Sequence, residues 1–298
     1  MHDLIIVGGG LSGLSALIYA QRFNLKTTMF AKELGGLITK THLVENWPGE
    51  ISISGFDLAQ KLIEHTKSLD SDIRNEEIQE ITKTDNGFKV KTSKEEIETK
   101  TVIFATGTKH RRLDIPGEAD YTNKGVSYCA TCDGPFYRDK VVGMVGGSDS
   151  AVKESFLLAQ FAKKVYIIYR KGKLRAEPIN MQRLKDYENI EVVYNTNVTE
   201  VIGDETGVKK VKLDSGDDLD LQGLFIAIGH LPLSGLAGEI GVELTEGKEI
   251  KVDRETRTNI PGIYAAGDIT DSDFKQGITG AGEGARAANQ AFEYVNKN

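Results

Sequence analysis

Residues 3–31 read DLIIVGGGLSGLSALIYAQRFNLKTTMFA, and their order decides the fold. DLIIVG is a short apolar, β-branched run of strand character, LSALIYAQRF continues as an apolar helix, and KTTMFA is a second strand. Between the first strand and the helix, Gly8, Gly10 and Gly13 stand in G-x-G-x-x-G register. Such a turn suits a dinucleotide. Gly8 permits the tight bend, Gly10 lets backbone approach a pyrophosphate, Gly13 allows close helix-to-strand packing, and the helix N-terminus offers amides and a positive dipole end. The carboxylate that would hold a ribose is expected at the end of the second strand, where Ala31 stands, with Glu33 shortly after it.

The pattern recurs at residues 140–170, KVVGMVGGSDSAVKESFLLAQFAKKVYIIYR. Strand, glycine-bearing turn, helix and strand follow at the same spacing, so the chain carries two dinucleotide folds. The second fingerprint runs Gly146, Gly147, Ser148, Asp149, Ser150, Ala151, with serine where the glycine closest to a pyrophosphate belongs. A doubly wound domain that keeps its shape without a ligand is the alternative reading. Beyond the second strand, YRKGKLRAEP clusters Arg170, Lys171, Lys173 and Arg175. This position, at the end of the second strand of a βαβ unit, is where the 2′-phosphate of NADP would lie, and Arg and Lys suit that dianion. A solvated basic loop would look the same in sequence.

Between the two folds lies YCATCDGPFY, residues 128–137, which holds the only two cysteines of the chain, Cys129 and Cys132. A tetrahedral zinc site needs a second ligand pair, and the five histidines (His2, His42, His65, His110 and His230) are scattered without an H-x₃₋₅-H spacing. No metal is expected. A structural disulfide would close a very short loop and remove little unfolded-state entropy. Redox cycling between dithiol and disulfide is the favoured use of this spacing.

The 298 residues suffice for two domains. Hydrophobic content of 39% and charged content of 27% are those of an ordinary globular protein, which excludes disorder as the main theme. A net charge of -7 disfavours nucleic acid and anionic membrane as partners. The N-terminus lacks the cationic flank and cleavage site of a leader, and no long apolar run suggests a membrane span, so a cytoplasmic protein is expected. In a reducing compartment two cysteines are more readily working thiols than staples. Near the C-terminus, residues 259–292 give an apolar strand ending at Gly267–Asp268, a polar loop, and a helix rich in Gly and Ala. Those small residues are expected to admit something flat and buried.

From Asp3 to about Tyr294 the order of motifs resembles the low-molecular-weight, thioredoxin reductase type of FAD-dependent pyridine nucleotide disulfide oxidoreductase. The matching segments are GGGLSGLSA, GGLITKTHLVENWPG, FATGTKHRRLDIPGE, CATCDG, GGSDSA, YRKGKLRAEP, GIYAAGDIT and KQGITGAGEGARAA. The resemblance implies an α/β protein with two Rossmann-like domains, the second inserted into the first. Residues 1–114 and 246–298 would bind FAD, and residues 115–245 would bind NAD(P)H and carry the dithiol. The FAD residues it implies are Gly8, Gly10, Gly13, Glu33, Gly36, Asn46, Gly107, Gly267, Asp268, Gln276, Gly277 and Ile278. Asp268 would meet the ribitol, and Gln276, Gly277 and Ile278 would line the isoalloxazine. For NADPH it implies Gly146, Ser148, Ser150, Ala151, Arg170, Lys171 and Arg175. Cys132 would face the flavin, Cys129 would attack the substrate disulfide, and Asp133 would move the proton.

Several positions depart from the pattern. Leu37 replaces a glutamine near the flavin, and Ser148, Lys153, Tyr169 and Lys171 stand where NADPH-dependent members show Gly, Glu, His and Arg. The expectation is an NADPH-dependent reductase of a thioredoxin-like protein, with weaker nucleotide affinity than a full-pattern member, acting as a homodimer joined through its FAD domains. Two alternatives are the same dithiol chemistry driven by NADH or a reduced ferredoxin-type protein, and a flavin-bound redox sensor. Because nicotinamide and dithiol must both reach one flavin, a hinge rotation is expected near Leu113 to Glu118 and Gly238 to Gly247.

Overall fold

The computed structural model describes residues 1–41 and 44–297; His42, within the quoted GGLITKTHLVENWPG segment, lies outside the described residues. In chain order the elements are β1 (His2–Gly10), α1 (Leu11–Arg22), β2 (Thr27–Gly35), α2 (Gly55–Lys67), β3 (Asp72–Arg74), β4 (Ile78–Thr84), β5 (Gly87–Thr92), β6 (Glu96–Phe104) and β7 (Thr108–His110). There follow β8 (Val126–Ser127), α3 (Ala130–Asp133), β9 (Val141–Val145), α4 (Asp149–Ala159), β10 (Lys164–Tyr169), α5 (Pro178–Arg183), β11 (Ile190–Tyr194), β12 (Val198–Asp204), β13 (Gly207–Leu213), β14 (Asp218–Asp220) and β15 (Gly223–Ile226). The chain ends with β16 (His230–Pro232), α6 (Gly235–Glu239), β17 (Ile263–Ala265) and α7 (Gly277–Lys297).

These elements form two compact units, Met1–Lys109 with Leu231–Asn298, and His110–His230. The segments expected to hinge lie inside the units: Leu113 to Glu118 in the second, Gly238 to Gly247 in the first.

In the first unit the strand order is β3-β2-β1-β6-β5-β4, with β17 also paired to β6. β1 runs parallel to β2 and β6, and β5 is antiparallel to both its neighbours. The period-2 alternation of side chains along β1 fills both faces of the sheet. Leu4 and Ile6 join the core beneath α1 and α7, with Leu14, Leu17, Ala287 and Ala291, while Ile5 and Val7 join Phe30, Phe88 and Phe104 on the other face. A strand buried on both faces reads as a continuous apolar run, which is why DLIIVG is legible as one. Truncating a fully buried core leucine such as Leu14 to alanine is worth about 2–5 kcal/mol.

The second unit repeats the plan as β11-β10-β9-β15-β8, all parallel, beside a separate antiparallel sheet β12-β13-β14. Val142 and Met144 of β9 pack under Leu157 and Leu158 of α4; Val145, Ile168 and Ile226 pack toward Val201 and Val211 of the antiparallel sheet. In each unit the strand order reverses beside the first strand of the βαβ element, between β1 and β6 and between β9 and β15, the kind of switch point at which open α/β sheets hold ligands. Both glycine-rich turns lie at such a switch point. A Cβ on Gly8 would meet the Ala105 carbonyl, just after β6, at 2.3 Å, and a Cβ on Gly146 would meet the Ala227 carbonyl, just after β15, also at 2.3 Å. Their φ angles of 112° and 149° exclude side chains for a second reason.

Candidate active site

The first turn leaves its helix end open. Gly10 is the N-cap of α1, no side chain caps the helix, and no acid stands in its first turn. A Cβ on Gly10 would meet nothing within 4 Å, whereas one on Gly13 would lie 2.0 Å from the Gly8 carbonyl. Gly13 is thus required by packing, and Gly10 borders free space in front of amides that have no side-chain acceptor. Gly36, with φ of 67°, places its own missing Cβ 3.0 Å from the Gly10 Cα. Gly107, at φ of 62°, is also open to space.

The second strand does not stop at Ala31. A register shift between Val7 and Gly9 lets β2 continue, so that Gly9 pairs with Leu34 and Gly10 with Gly35. Glu33 is therefore an exposed strand residue close to the glycine turn: a Cβ on Gly9 would lie 3.1 Å from its carbonyl. The bulge was not visible in the local pattern, because both sides of it read as strand.

The C-terminal segment folds back onto this turn. A Cβ on Gly267, at φ of 85°, would meet the Ser12 hydroxyl at 2.2 Å, and one on Gly277 would lie 2.9 Å from Leu11 and 3.7 Å from the Trp47 ring. Asn46 Nδ2 donates to Gln276 Oε1 at 2.9 Å. Gly267 N donates to Glu283 at 2.7 Å, and burial pushes the Glu283 carboxyl above its ordinary range. Asp268 is partly buried, and its carbonyl accepts from Lys275 Nζ at 3.1 Å. Ile278 is exposed at the start of α7. Two glycines farther along α7 serve helix packing: a Cβ on Gly280 would lie 2.7 Å from the Ser12 hydroxyl, and one on Gly284 would lie 2.0 Å from the Ser12 carbonyl. They let α7 pack on α1, and only the N-terminal end of α7 comes near the open turn.

A flavin dinucleotide fits this set. The uncapped α1 terminus and the space beside Gly10 suit a pyrophosphate, and the residues gathered at Leu11, Asn46, Trp47, Gln276 and Gly277 supply an apolar and amide wall for a flat ring.

In the second unit Cys129 and Cys132 are joined as a disulfide, with Cα atoms 5.3 Å apart. Cys129 is half-buried and Cys132 exposed. Cys129 is the N-cap of α3, and its Sγ accepts the Cys132 amide at 3.1 Å. Its own amide donates to Ser127 Oγ at 3.0 Å, and its carbonyl accepts the Asp133 amide at 3.1 Å. An amide aimed at sulfur favours a thiolate there once the disulfide opens. Asp133 lies one residue beyond, close enough to Tyr137 that burial, and then the Asp133 charge, raise the Tyr137 phenol.

Sequence reasoning missed Glu118, which anchors the segment before the cysteines. It is 2% exposed, and its carboxylate accepts the Leu113 amide at 3.0 Å, the Asp114 amide at 2.6 Å and the Tyr128 hydroxyl at 2.6 Å. Burial, then the adjoining Glu118 carboxylate, push the Tyr128 phenol up to about 12. The only sequence signal was a lone Glu closing DIPGE.

The second glycine turn is more filled than the first. Ser148 caps α4, its hydroxyl accepting the Ala151 amide at 3.4 Å, and Asp149 stands in the first turn of that helix. Asp149 is itself committed, accepting Glu177 N and Asn180 Nδ2, each at 2.8 Å. A Cβ on Gly147 would meet the Tyr169 ring at 2.5 Å, and the Gly147 carbonyl accepts the Arg175 amide at 2.7 Å. Arg170, Lys171, Lys173 and Arg175 are exposed and, among the described residues, none pairs with a carboxylate. Those free cations suit a phosphate, while the capped terminus leaves a pyrophosphate less than the first turn offers. Ser150, Glu154, Tyr128, His110 and His230 help line a cavity of about 190 Å³ beside this turn, and burial pushes the Glu154 carboxyl up to about 7.

No group of His, Cys, Asp and Glu among the described residues could hold a metal ion. No helix among them is long and apolar enough to cross a membrane.

Residues 2–291 match the family described as pyridine nucleotide-disulphide oxidoreductase. The chain is 40% identical to thioredoxin reductase of Coxiella burnetii over 99% of its length and 96% of that protein. It is 37% identical to thioredoxin reductase of Listeria innocua, over 99% of its length and 94% of that protein. The crystal structure of Lactococcus lactis thioredoxin reductase superposes with a TM-score of 0.96 at 36% identity, covering 100% of both chains.

Proposed function

The chain belongs to the pyridine nucleotide-disulphide oxidoreductase family, and from that premise we propose that it is a thioredoxin-disulfide reductase, passing two electrons from NADPH through FAD and the Cys129/Cys132 pair to a thioredoxin-like protein. The observation that carries the reading is the accessible Cys129–Cys132 disulfide in one unit of a chain whose other unit presents an open, uncapped dinucleotide turn. FAD, when bound, supplies the centre that accepts a hydride from the nicotinamide and delivers two electrons to sulfur.

The residues of the chain do the rest. Two electrons open the Cys129–Cys132 bond, and Cys132 takes a proton that Asp133 is placed to hand on. Cys129, favoured as thiolate by the Cys132 amide, attacks one sulfur of the substrate disulfide, and the other substrate sulfur leaves and takes up a proton. Cys132, its proton returned to Asp133, then attacks Cys129 Sγ of the mixed disulfide; this re-forms the intramolecular disulfide, and the expelled substrate sulfur takes up the second proton, completing the substrate dithiol. The sum is one substrate disulfide reduced for one NADPH and one proton consumed.

The flavin is held by Gly8, Gly10, Gly13, Glu33, Gly36, Asn46, Gly107, Gly267, Asp268, Gln276, Gly277 and Ile278; Gly146, Ser148, Ser150, Ala151, Arg170, Lys171 and Arg175 receive NADPH. A cytoplasmic homodimer joined through the FAD-binding units completes the reading, on the strength of the motif resemblance. A second reading, in which NADH or a ferredoxin-type protein is the donor, is favoured by one observation, the Ser148 cap on α4. Anaerobic titration of the yellow holoprotein with NADPH, NADH and reduced ferredoxin, followed by flavin absorbance, separates the donors. Cys129→Ser and Cys132→Ser are expected to retain flavin reduction and lose thioredoxin turnover. A single variant reducing thioredoxin at the parent rate would refute the relay, and turnover too slow for any donor would favour a redox sensor.

A further inference from the structure

Four exposed cations follow β10, yet one of them is held in a way the other three are not. The side chains of Arg170, Lys171 and Lys173 make no hydrogen bond or ion pair among the described residues. Arg175 bridges to Ser148 through its backbone, its amide donates to the Gly147 carbonyl at 2.7 Å, and its Nε donates to the Tyr169 hydroxyl at 3.1 Å. Tyr169 is itself immobilised. It is the last residue of β10, is 5% exposed, and its ring lies flat in the space that a side chain at Gly147 would need.

We propose that the Tyr169 hydroxyl is a positioning residue that makes the second turn selective for a nucleotide carrying a 2′-phosphate, by holding the Arg175 guanidinium beside that turn before ligand arrives. The inference rests on the reading that NADPH binds this unit. Nε is the inner nitrogen of the guanidinium, so its bond to Tyr169 leaves the two terminal nitrogens forked and available, the arrangement that grips a phosphate bidentately. A free Arg side chain loses rotamer freedom when it binds; one already tethered at Nε and at its backbone has lost part of it beforehand, and the affinity rises accordingly. NAD has no 2′-phosphate and gains nothing from the tether. The aromatic at 169 thus has two separable duties: its ring closes the Gly147 turn, which any nucleotide feels, and its hydroxyl orients Arg175, which only a 2′-phosphate feels.

The test measures dissociation constants of NADP⁺ and NAD⁺ by calorimetry on the FAD-loaded protein, with Michaelis constants for NADPH and NADH alongside, for Tyr169→Phe, Tyr169→His, Arg175→Ala and the double variant Tyr169→Phe/Arg175→Ala. Removing one hydrogen bond while keeping the ring should weaken NADP⁺ about 3- to 10-fold and leave NAD⁺ unchanged. Histidine, which retains an acceptor, should restore part of the preference. The double variant should be no worse for NADP⁺ than Arg175→Ala alone, because the hydroxyl acts only through Arg175. Equal weakening of NADP⁺ and NAD⁺ by Tyr169→Phe, an unchanged NADP⁺ to NAD⁺ ratio, or additive losses in the double variant would each overturn the proposal while leaving NADPH as donor. A parent protein without preference for NADP⁺ would overturn the donor reading and this inference together.

Discussion

Replacing Glu118 by alanine removes the acceptor from three donors at once: the amides of Leu113 and Asp114 and the hydroxyl of Tyr128. Hydrogen bonds to a charged acceptor are worth about 1.5–3 kcal/mol each. Asp114 is exposed and Tyr128 only half-buried, so both regain water when the carboxylate is gone, and the losses do not simply add. Asp114 also sits at a φ of 57°, a left-handed conformation that its bond to Glu118 helps hold. The expected loss is about 3–5 kcal/mol, less than the sum of three charged hydrogen bonds, or a fall in melting temperature of about 6–20 °C at roughly 2–4 °C per kcal/mol. Glu118→Gln keeps one oxygen acceptor and should lose about 1–2 kcal/mol. In a double-mutant cycle with Tyr128→Phe, a coupling of about 1–3 kcal/mol is expected. Because Tyr128 immediately precedes Cys129, thioredoxin turnover should fall more than flavin reduction. Ultraviolet titration adds an independent readout: without the carboxylate the Tyr128 phenol should titrate below its value of about 12. Glu118→Ala within about 1 kcal/mol of the parent, with the Tyr128 titration unmoved, would refute the account.

Gly10→Ala should cost the apoprotein no more than about 1 kcal/mol, the N-cap difference between glycine and alanine, because its Cβ meets nothing within 4 Å, yet lower FAD affinity; Gly8→Ala, aimed at the Ala105 carbonyl, should not fold, and a Gly10→Ala protein holding FAD as tightly as the parent would remove the pyrophosphate from that space. Asp133→Asn should cut thioredoxin turnover about 10²- to 10⁴-fold in a stopped-flow assay while flavin reduction continues, and an unchanged rate would take Asp133 out of the proton path. Glu154, with a folded pKa of about 7 above an unfolded value of about 4.3, binds more protons folded than unfolded between those limits. Its contribution is therefore fully present below the lower pKa and lost as pH rises through about 7. Glu154→Gln should exceed the parent in stability by up to about 4 kcal/mol at pH 8, with the gap closing near pH 4.5; equal denaturation midpoints at pH 8 would show that the carboxyl is not desolvated.

What the sequence determined by itself was local. The apolar run of β1, the helix period of α1, the register of Gly8, Gly10 and Gly13, and the repeat of that pattern around Gly146 each follow from neighbouring residues, because strand and helix periodicity and positive φ are decided within a few residues of chain. The spacing of Cys129 and Cys132 was legible for the same reason. Tertiary structure alone decided whatever depends on segments far apart in the chain. It carried β2 past Ala31 to Gly35 by pairing across a register shift, and it set Gly280 and Gly284 of α7 against Ser12. It turned the glutamate that closes DIPGE into the anchor of Leu113, Asp114 and Tyr128, and set the Tyr169 ring on Gly147 with Arg175 tied to its hydroxyl. Two glycine turns that look alike in sequence differ in the same way: Gly10 borders open space, whereas Ser148 caps its own helix. Burial and hydrogen-bond geometry are properties of contacts, and a contact exists only once the chain has brought its two sides together.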